Sequence, residues 1–487
     1  MTEQRVQARR RVGHVIERAR RPDRDQMTAQ RRRVPLWFVF LVLLGIAVLQ
    51  IQQNPFGFGD LIQRHAQDIS NLLVTGPYFY GTAGRNAISA AVIDEETLQT
   101  LKMPWPWDYG AHARVLDALL DYHPKAVVVD FLFVDSRPDP TLPQLIEEIH
   151  RYQRARVPLY FEGGVGLPYG EAALRPELAA TGVPVLDPSL PVYGGIARQY
   201  NFTGECLGAP RPKGEPCLSL ALQVFEDLYP QFPVSSLHGK MELVWGTRVA
   251  PENAKWITAT DRSGIRRSCQ VDIGPLRRIY LAFFDTAAVR NPCPYNAQIP
   301  VVSLMEGSED PDLVALAGNR VIFYGGALQG AQDQTYTPVN GLLPSVFVHA
   351  MALDNLITYQ GKPKQNVITV RGRALESNPA QILAIMPVIL VLSLLHLRRL
   401  RVSAGRRNPG RSVTTEYMIG RAITHLWHWL AVGLALGVGL LLTLALGLSV
   451  ANWVEIVFIS AALAALLLVG LPDAIWGYLS HVVREAE

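Results

Sequence analysis

Apolar residues fall along this chain in two rhythms, and each predicts a different kind of element. Four runs reach membrane-spanning length: Val34–Ile51, Ala380–Leu397, Leu430–Val450 and Trp453–Leu471. A bilayer-crossing helix needs about 20 predominantly apolar residues, so four transmembrane helices are expected, the second with Pro387 inside it and the last with Glu455 near its start. Between the first two runs the pattern shortens. Asn86–Ile93 is a brief apolar run that stops at Asp94-Glu95-Glu96, and Lys125–Phe131 is a second, rich in valine; both read as strands buried on two faces. Ala111–Tyr122, between them, places Ala111, Val115, Ala118, Leu119 and Tyr122 near one helical face. Strand, helix, strand is the βαβ unit of a parallel sheet. Val157–Phe161 and Arg320–Tyr324 are further strands by the same pattern, and Cys217–Tyr229 and Pro344–Gln360 further helices. The fold class predicted is an α/β domain over residues 52–379, with βαβ units and a mixed or parallel sheet, plus four transmembrane helices.

Composition agrees with this division. A length of 487 residues exceeds one ordinary domain, and 49% hydrophobic against 18% charged residues excludes intrinsic disorder. The net charge of +4 is concentrated in two short pieces. Residues 1–33 carry eleven Arg and four acidic residues, and residues 398–429 carry seven Arg and only Glu416. Segments rich in Lys and Arg beside membrane spans stay in the cytoplasm. Both termini are therefore expected inside, with a basic tail (1–33), a basic loop (398–429) and a short tail (472–487) in the cytoplasm, and residues 52–379 outside. A cleaved signal peptide is the rival for the first span, but no A-x-A site follows in Leu49-Gln50-Ile51-Gln52-Gln53. Anionic lipid headgroups suffice as partners for the arginines. Nucleic acid is not expected, because residues 1–33 hold none of the aromatic side chains on which bases stack. Residues 3–21 read as a basic helix on the membrane surface or against a cytoplasmic partner.

The cysteines bear on compartment. Cys206, Cys217, Cys269 and Cys293 all fall in the segment assigned to the outside, where disulfides persist. Four cysteines allow three pairings; the local pairs Cys206–Cys217 and Cys269–Cys293 are expected. Zinc is the other reading, against which stands the absence of any C-x-x-C.

Val92-Ile93-Asp94-Glu95-Glu96-Thr97-Leu98, then Trp105-Pro106-Trp107, then a helix and Val128-Val129-Asp130-Phe131-Leu132-Phe133, together resemble the opening of a type 2 CHASE domain, an extracytoplasmic sensor module of bacterial receptors. Gly318–Gly325, Asp333, Thr337-Pro338, and Val348-His349-Ala350 with Leu353, Asn355 and Leu356 resemble that domain's closing block, and Ser219–Leu222 its middle helix. Pro344-Ser345 stands where the family more often has Pro-Gly. The resemblance implies a sensor in the bacterial inner membrane. Family members typically continue into a cyclase or kinase domain, and only 16 residues follow Leu471 here, so relay to a separate cytoplasmic effector is expected. The alternative is a non-sensing scaffold subunit of a multiprotein envelope complex.

Candidate site residues follow from the strand ends. Asp94, Glu95, Glu96 and Asp130 would lie at the carboxyl edge of a parallel sheet, where α/β proteins place ligands; the competing reading is that Glu95 and Glu96 favour the start of a following helix while Asp94 and Asp130 fix loops. Asp333 and His349 could join them. Trp105 and Trp107 could stack a ligand or wedge the core. With no H-e-x-x-H or G-x-S-x-G, the expectation is a non-enzyme without catalytic residues, metal or cofactor. The Gly433 and Gly437 pair permits close helix packing, against a neighbouring span or a second copy of the chain.

The topology and the bridges share one test. A membrane-impermeant thiol reagent applied to intact membranes should label the cysteines only after a reductant is added. Labelling without reductant would sink the disulfides, and labelling confined to a permeant reagent would overturn the topology.

Overall fold

The computed structural model describes residues 34–54, 64–65, 67–69, 71–134, 137–163, 174–188, 195–207, 217–234, 237, 239–260, 266–269, 280, 284, 293–306, 310–328, 333–364, 367–370, 373–376, 378–405, 430, 432–439, 441 and 450–486. The chain divides into two compact units, one of residues Met1–Gln53, Ile385–Gly439 and Val457–Glu487, the other of residues Asn54–Ala384 with Leu440–Ile456.

The second unit holds the central domain. In chain order it begins with helix α1 (Ala83–Ala87), strand β1 (Ile88–Ile93), helices α2 (Glu95–Leu101) and α3 (Tyr109–Asp121), β2 (Ala126–Val129), α4 (Leu142–Ala155), β3 (Leu159–Glu162), β4 (Val185–Leu186), β5 (Gln199–Asn201), α5 (Leu220–Leu228) and β6 (Lys240–Glu242). It continues with β7 (Thr258–Thr260), β8 (Arg266–Ser268), β9 (Ala297–Pro300), α6 (Val301–Met305), α7 (Pro311–Ala317), β10 (Val321–Gly326), β11 (Gln334–Thr337), β12 (Gly341–Pro344), α8 (Val346–Thr358), β13 (Val367–Val370) and β14 (Arg373–Glu376). Six strands form one sheet in the order β4-β3-β2-β10-β1-β9, and every pairing in it is parallel. The remaining strands form separate two-stranded antiparallel pieces.

Alternation along the central strands builds two cores. Ile88, Ala90, Val92, Ala126, Val128, Val321 and Phe323 face a layer containing α5 and α8, whereas Ala91, Ile93, Val127, Val129, Ile322 and Tyr324 face α3, α4, α6 and α7. Because both faces are covered, the strands carry apolar side chains at successive positions. The first two residues of the predicted strand 86–93 belong instead to the end of α1. The starts of α2, α3 and α7 are supplied with side-chain acceptors, from Asp94, Asp108 and Asp310, for N–H groups otherwise unpaired. Asp108 accepts from Ala111 N at the start of α3, and Asp139 and Thr141 take the amides of Tyr109 and Gly110. Helices α2 and α4 end on Lys102 and Arg156 in the left-handed conformation. Cys206 is bonded to Cys217, and Cys269 to Cys293, with Cα atoms 5.2 Å and 5.6 Å apart.

Two helices among the described residues are long and apolar enough to cross a membrane, over Leu36–Gln53 and Gln381–Arg398, and a third counts if the bent pair Val454–Leu467 and Leu471–Ser480 is one span. These lie where the first, second and fourth spans were expected. Four spans are thus a larger number than the described residues hold; of the expected third span, 431, 440 and 442–449 lie outside them. A side chain on Gly433 or Gly437 would meet nothing within 4 Å, so the close packing this pair permits is not made among the described residues. Of the tail expected over 472–487, residues 472–486 belong to a helix, Leu471–Ala486, in which Trp476 packs edge-on against Phe38 at 4.8 Å and Trp37 at 6.2 Å. The basic tail 1–33 and most of the basic loop 398–429 lie outside the described residues.

Ile322 sits wholly buried on a central strand. Ile322→Ala should lower stability by about 2–5 kcal/mol through lost contact and the cavity it leaves; denaturant unfolding of the full-length protein in detergent checks this, and a loss below about 1 kcal/mol would contradict the buried assignment.

Candidate functional site

Parallel strands all end at one edge, and here four of them end on an acid. Asp94 follows β1, Asp130 follows β2, Glu162 closes β3 and Asp187 follows β4. The register Val127↔Leu159, Val128↔Tyr160, Val129↔Phe161 continues by one residue to set Asp130 beside Glu162, and Val129↔Tyr324 continues to set Asp130 beside Gly325. Residues 126, 128 and 130 share a sheet face, so the Asp130 side chain points toward α8. Gly325 makes room: a Cβ there would lie 2.9 Å from Val346 and 3.2 Å from Asp130 Oδ2. Any larger residue would push the start of α8 off the sheet.

The first turn of α8 then brings His349 over the strand end. Its Nε2 lies 3.8 Å from Asp130 Oδ1, with both side chains almost fully buried. Its Nδ1 lies 2.9 Å from Tyr200 Oη, and Tyr200 Oη also accepts from the amide of Ala221 at 3.4 Å. The phenol proton is thereby directed to Nδ1, which places the imidazole proton on Nε2, aimed at Asp130. Burial holds His349 below its ordinary pKa, against the opposing pull of Asp130 and Asp187. It is a neutral ring at neutral pH.

The acids respond in the opposite direction. Burial pushes Asp130 well above the usual carboxylate range, and the neighbouring Glu162 pushes it further. Burial likewise raises Glu162, as do Asp333 and Asp187. The register sets Asp130 and Glu162 side by side on one face of adjacent strand ends, and the buried Asp130 Oδ2 has no hydrogen-bond partner among the described residues. Two ionised carboxylates are both acceptors only, so neighbours in this position repel unless one of them carries a proton. Asp333, whose carboxyl accepts from Ser345 Oγ, completes the cluster; the residue reaches the surface, but desolvation of its carboxyl and the nearby Asp130 push its pKa up to about 7.

Of the residues singled out in the sequence, the structure brings Asp130, Asp333 and His349 together. Asp94 is the cap of α2, accepting from Thr97 N at 2.8 Å and Thr97 Oγ1 at 2.6 Å, and Glu95 and Glu96 occupy the first turn of that helix. Trp107 is buried on the opposite face of the sheet, its Nε1 donating to Met103 O. Trp105, 39% exposed, lies 5.6 Å from Phe131 and 6.3 Å from His112 between ring centres. His112 bonds Tyr324 Oη through Nδ1 at 2.9 Å, and burial lowers its pKa to about 3. Glu162, Asp187 and Tyr200 are absent from the residues read from the sequence. Glu162 alone had a signal: it follows a predicted strand, as Asp130 does. Among the described residues no group of three or more His, Cys, Asp or Glu side chains is placed to hold a metal ion.

The family model of the CHASE2 domain matches residues 36–395, and the chain belongs to this family of extracellular sensory domains. The match runs from the first apolar helix into the helix Asn378–Gly405. Comparison with curated proteins and with solved structures gives no match.

The Tyr200 hydroxyl is the one partner of His349 Nδ1 among the described residues. Tyr200→Phe should leave that buried acceptor unsatisfied and lower stability by about 1–3 kcal/mol, measured as a shift in the denaturant midpoint; an unchanged midpoint would show that the bond contributes nothing.

Proposed function

We propose that this chain is a sensor of the bacterial inner membrane, its central domain outside the cytoplasm and its signal relayed through the membrane helices to a separate cytoplasmic effector. The observation that supports this best is the polar cluster of Asp130, Glu162 and His349 at the carboxyl edge of a parallel sheet, inside a CHASE2 domain. Structural ion pairs in domain cores are neutralised by a cation; this one holds acids against acids. Such an arrangement has an unfavourable electrostatic energy that a change outside the cell can relieve. Supporting the outward placement are the arginines of 1–33 and 398–429 and the two disulfides. Membrane lipid, a cytoplasmic effector and a second copy of the chain are the partners this reading implies.

The test removes residues 60–370 while keeping the membrane helices. A genetic screen first identifies the effector by the output that changes when the whole gene is deleted. With the shortened chain in place, that output should no longer follow external conditions. A normal response from the shortened chain would refute sensing, and stoichiometric, condition-independent capture of envelope proteins by the full chain would favour a scaffold instead.

A further inference from the structure

Two acids set side by side at adjacent strand ends, one of them buried, raise the question of what they bind. Around them stand Asp187 from the end of β4, Asp333 from the segment before β11, His349 from α8 and Tyr200 from β5. Among the described residues no Lys or Arg pairs with Asp130 or Glu162. His349, the only basic group present, is held neutral and lies beyond direct hydrogen-bond distance of Asp130 at 3.8 Å. Nothing in this set can balance two negative charges. A single proton can, and it is small enough to enter a site that Gly325 and Val346 pack shut. A route exists as well, since Glu162 is only partly buried while Asp130 is 4% exposed.

We propose that the domain senses external proton concentration through one proton shared between Asp130 and Glu162, the edge of the sheet between β2 and β3 closing when the proton is bound and loosening when it leaves. This deepens the sensor reading and rests on it for the relay, though the proton site itself does not depend on any relay. Loss of the proton leaves two carboxylates side by side at adjacent strand ends, and their repulsion is relieved by separation or by entry of water. Asp333 sits at the surface side and Ser345, its partner, is the residue before α8, so loosening at the pair bears on the helix that carries His349.

The sign is fixed by linkage. Carboxyls whose folded pKa is raised contribute stability that is fully present below their ordinary pKa and is lost as pH rises through the folded value. Asp333, at about 7, and Asp354, at about 6, act in the same direction as the pair. His349 opposes them: with its pKa lowered, its contribution is lost on acidification.

The experiment uses the full-length protein in nanodiscs, with thermal unfolding followed between pH 5 and pH 8 and the protonated-carboxyl infrared band recorded over the same range. The wild type should lose about 2–4 °C or more in Tm as pH rises, with loss of the protonated-carboxyl band. Glu162→Gln, which lets the amide donate to an ionised Asp130, should flatten part of the Tm slope and remove that band's share; Asp130→Asn should do the same from the other side. Asp354→Asn should change the slope by its own part and leave the pair's band in place. A band and slope identical in wild type, Glu162→Gln and Asp130→Asn would overturn the shared proton, whatever the outcome in cells. A proton-linked pair in vitro combined with an effector output indifferent to pH would instead overturn the relay. Should Asp130→Asn fail to fold, Glu162→Gln alone decides.

Discussion

A carboxylate can be kept from water only if something else neutralises it, and among the described residues no Lys or Arg pairs with the buried Asp130. A fully parallel sheet covered on both faces sets up that condition. Its strands end together, so acids that terminate them are brought side by side, and the helix layer that buries the apolar face also buries the acids. Asp130 and Glu162 are neighbours for the same reason that Val128 and Tyr160 are, two residues earlier in the register. The packing that stabilises the domain and the electrostatic stress at its edge are two outcomes of one geometry.

Asp354 shows the other way to hold a buried acid. Tyr80 and Thr358 hydroxyls donate to its Oδ1 and Asn296 Nδ2 donates to its Oδ2. Burial still raises its pKa, to about 6, but the three donors work against the rise. Hydrogen-bond donors stabilise the ionised form and so suit a structural role. Asp130 has no comparable set. The contrast within a single domain separates an acid that is satisfied from one that depends on a proton.

The central elements were legible from local pattern, because 126–129 is apolar throughout, 88–93 is apolar apart from Ser89, and the helix between them has a clear stripe. Asp130 and His349 stood out as polar residues in otherwise apolar surroundings. Tyr200 and Glu162 did not. Tyr200 lies on a strand of three residues, and its bond to His349 spans 149 positions, so only the assembled fold pairs them. Asp94 was placed with Asp130 by its position at a strand end, but a threonine three residues on claims its carboxylate for a helix cap. Strand-end position shows where an acid sits and says nothing about which neighbours reach it. The membrane helices follow composition more directly, and Leu471–Ala486 departs from it because its apolar residues are interleaved with Asp473, His481 and Arg484.

Helix α8 has a further consequence for how the domain can move. His349 ties its first turn to Tyr200, Asp354 ties its middle to Tyr80 and Asn296, and Asn355 clasps Val244 through both amide and carbonyl, the two amide-group contacts measuring 3.0 Å. A one-turn slip along the axis would displace each of these groups by about 5.4 Å and break every tie at once. Piston-like sliding of α8 within the domain is therefore closed off. The helix and the segments around Tyr80, Tyr200, Val244 and Asn296 are thereby tied to one another at several points along its length.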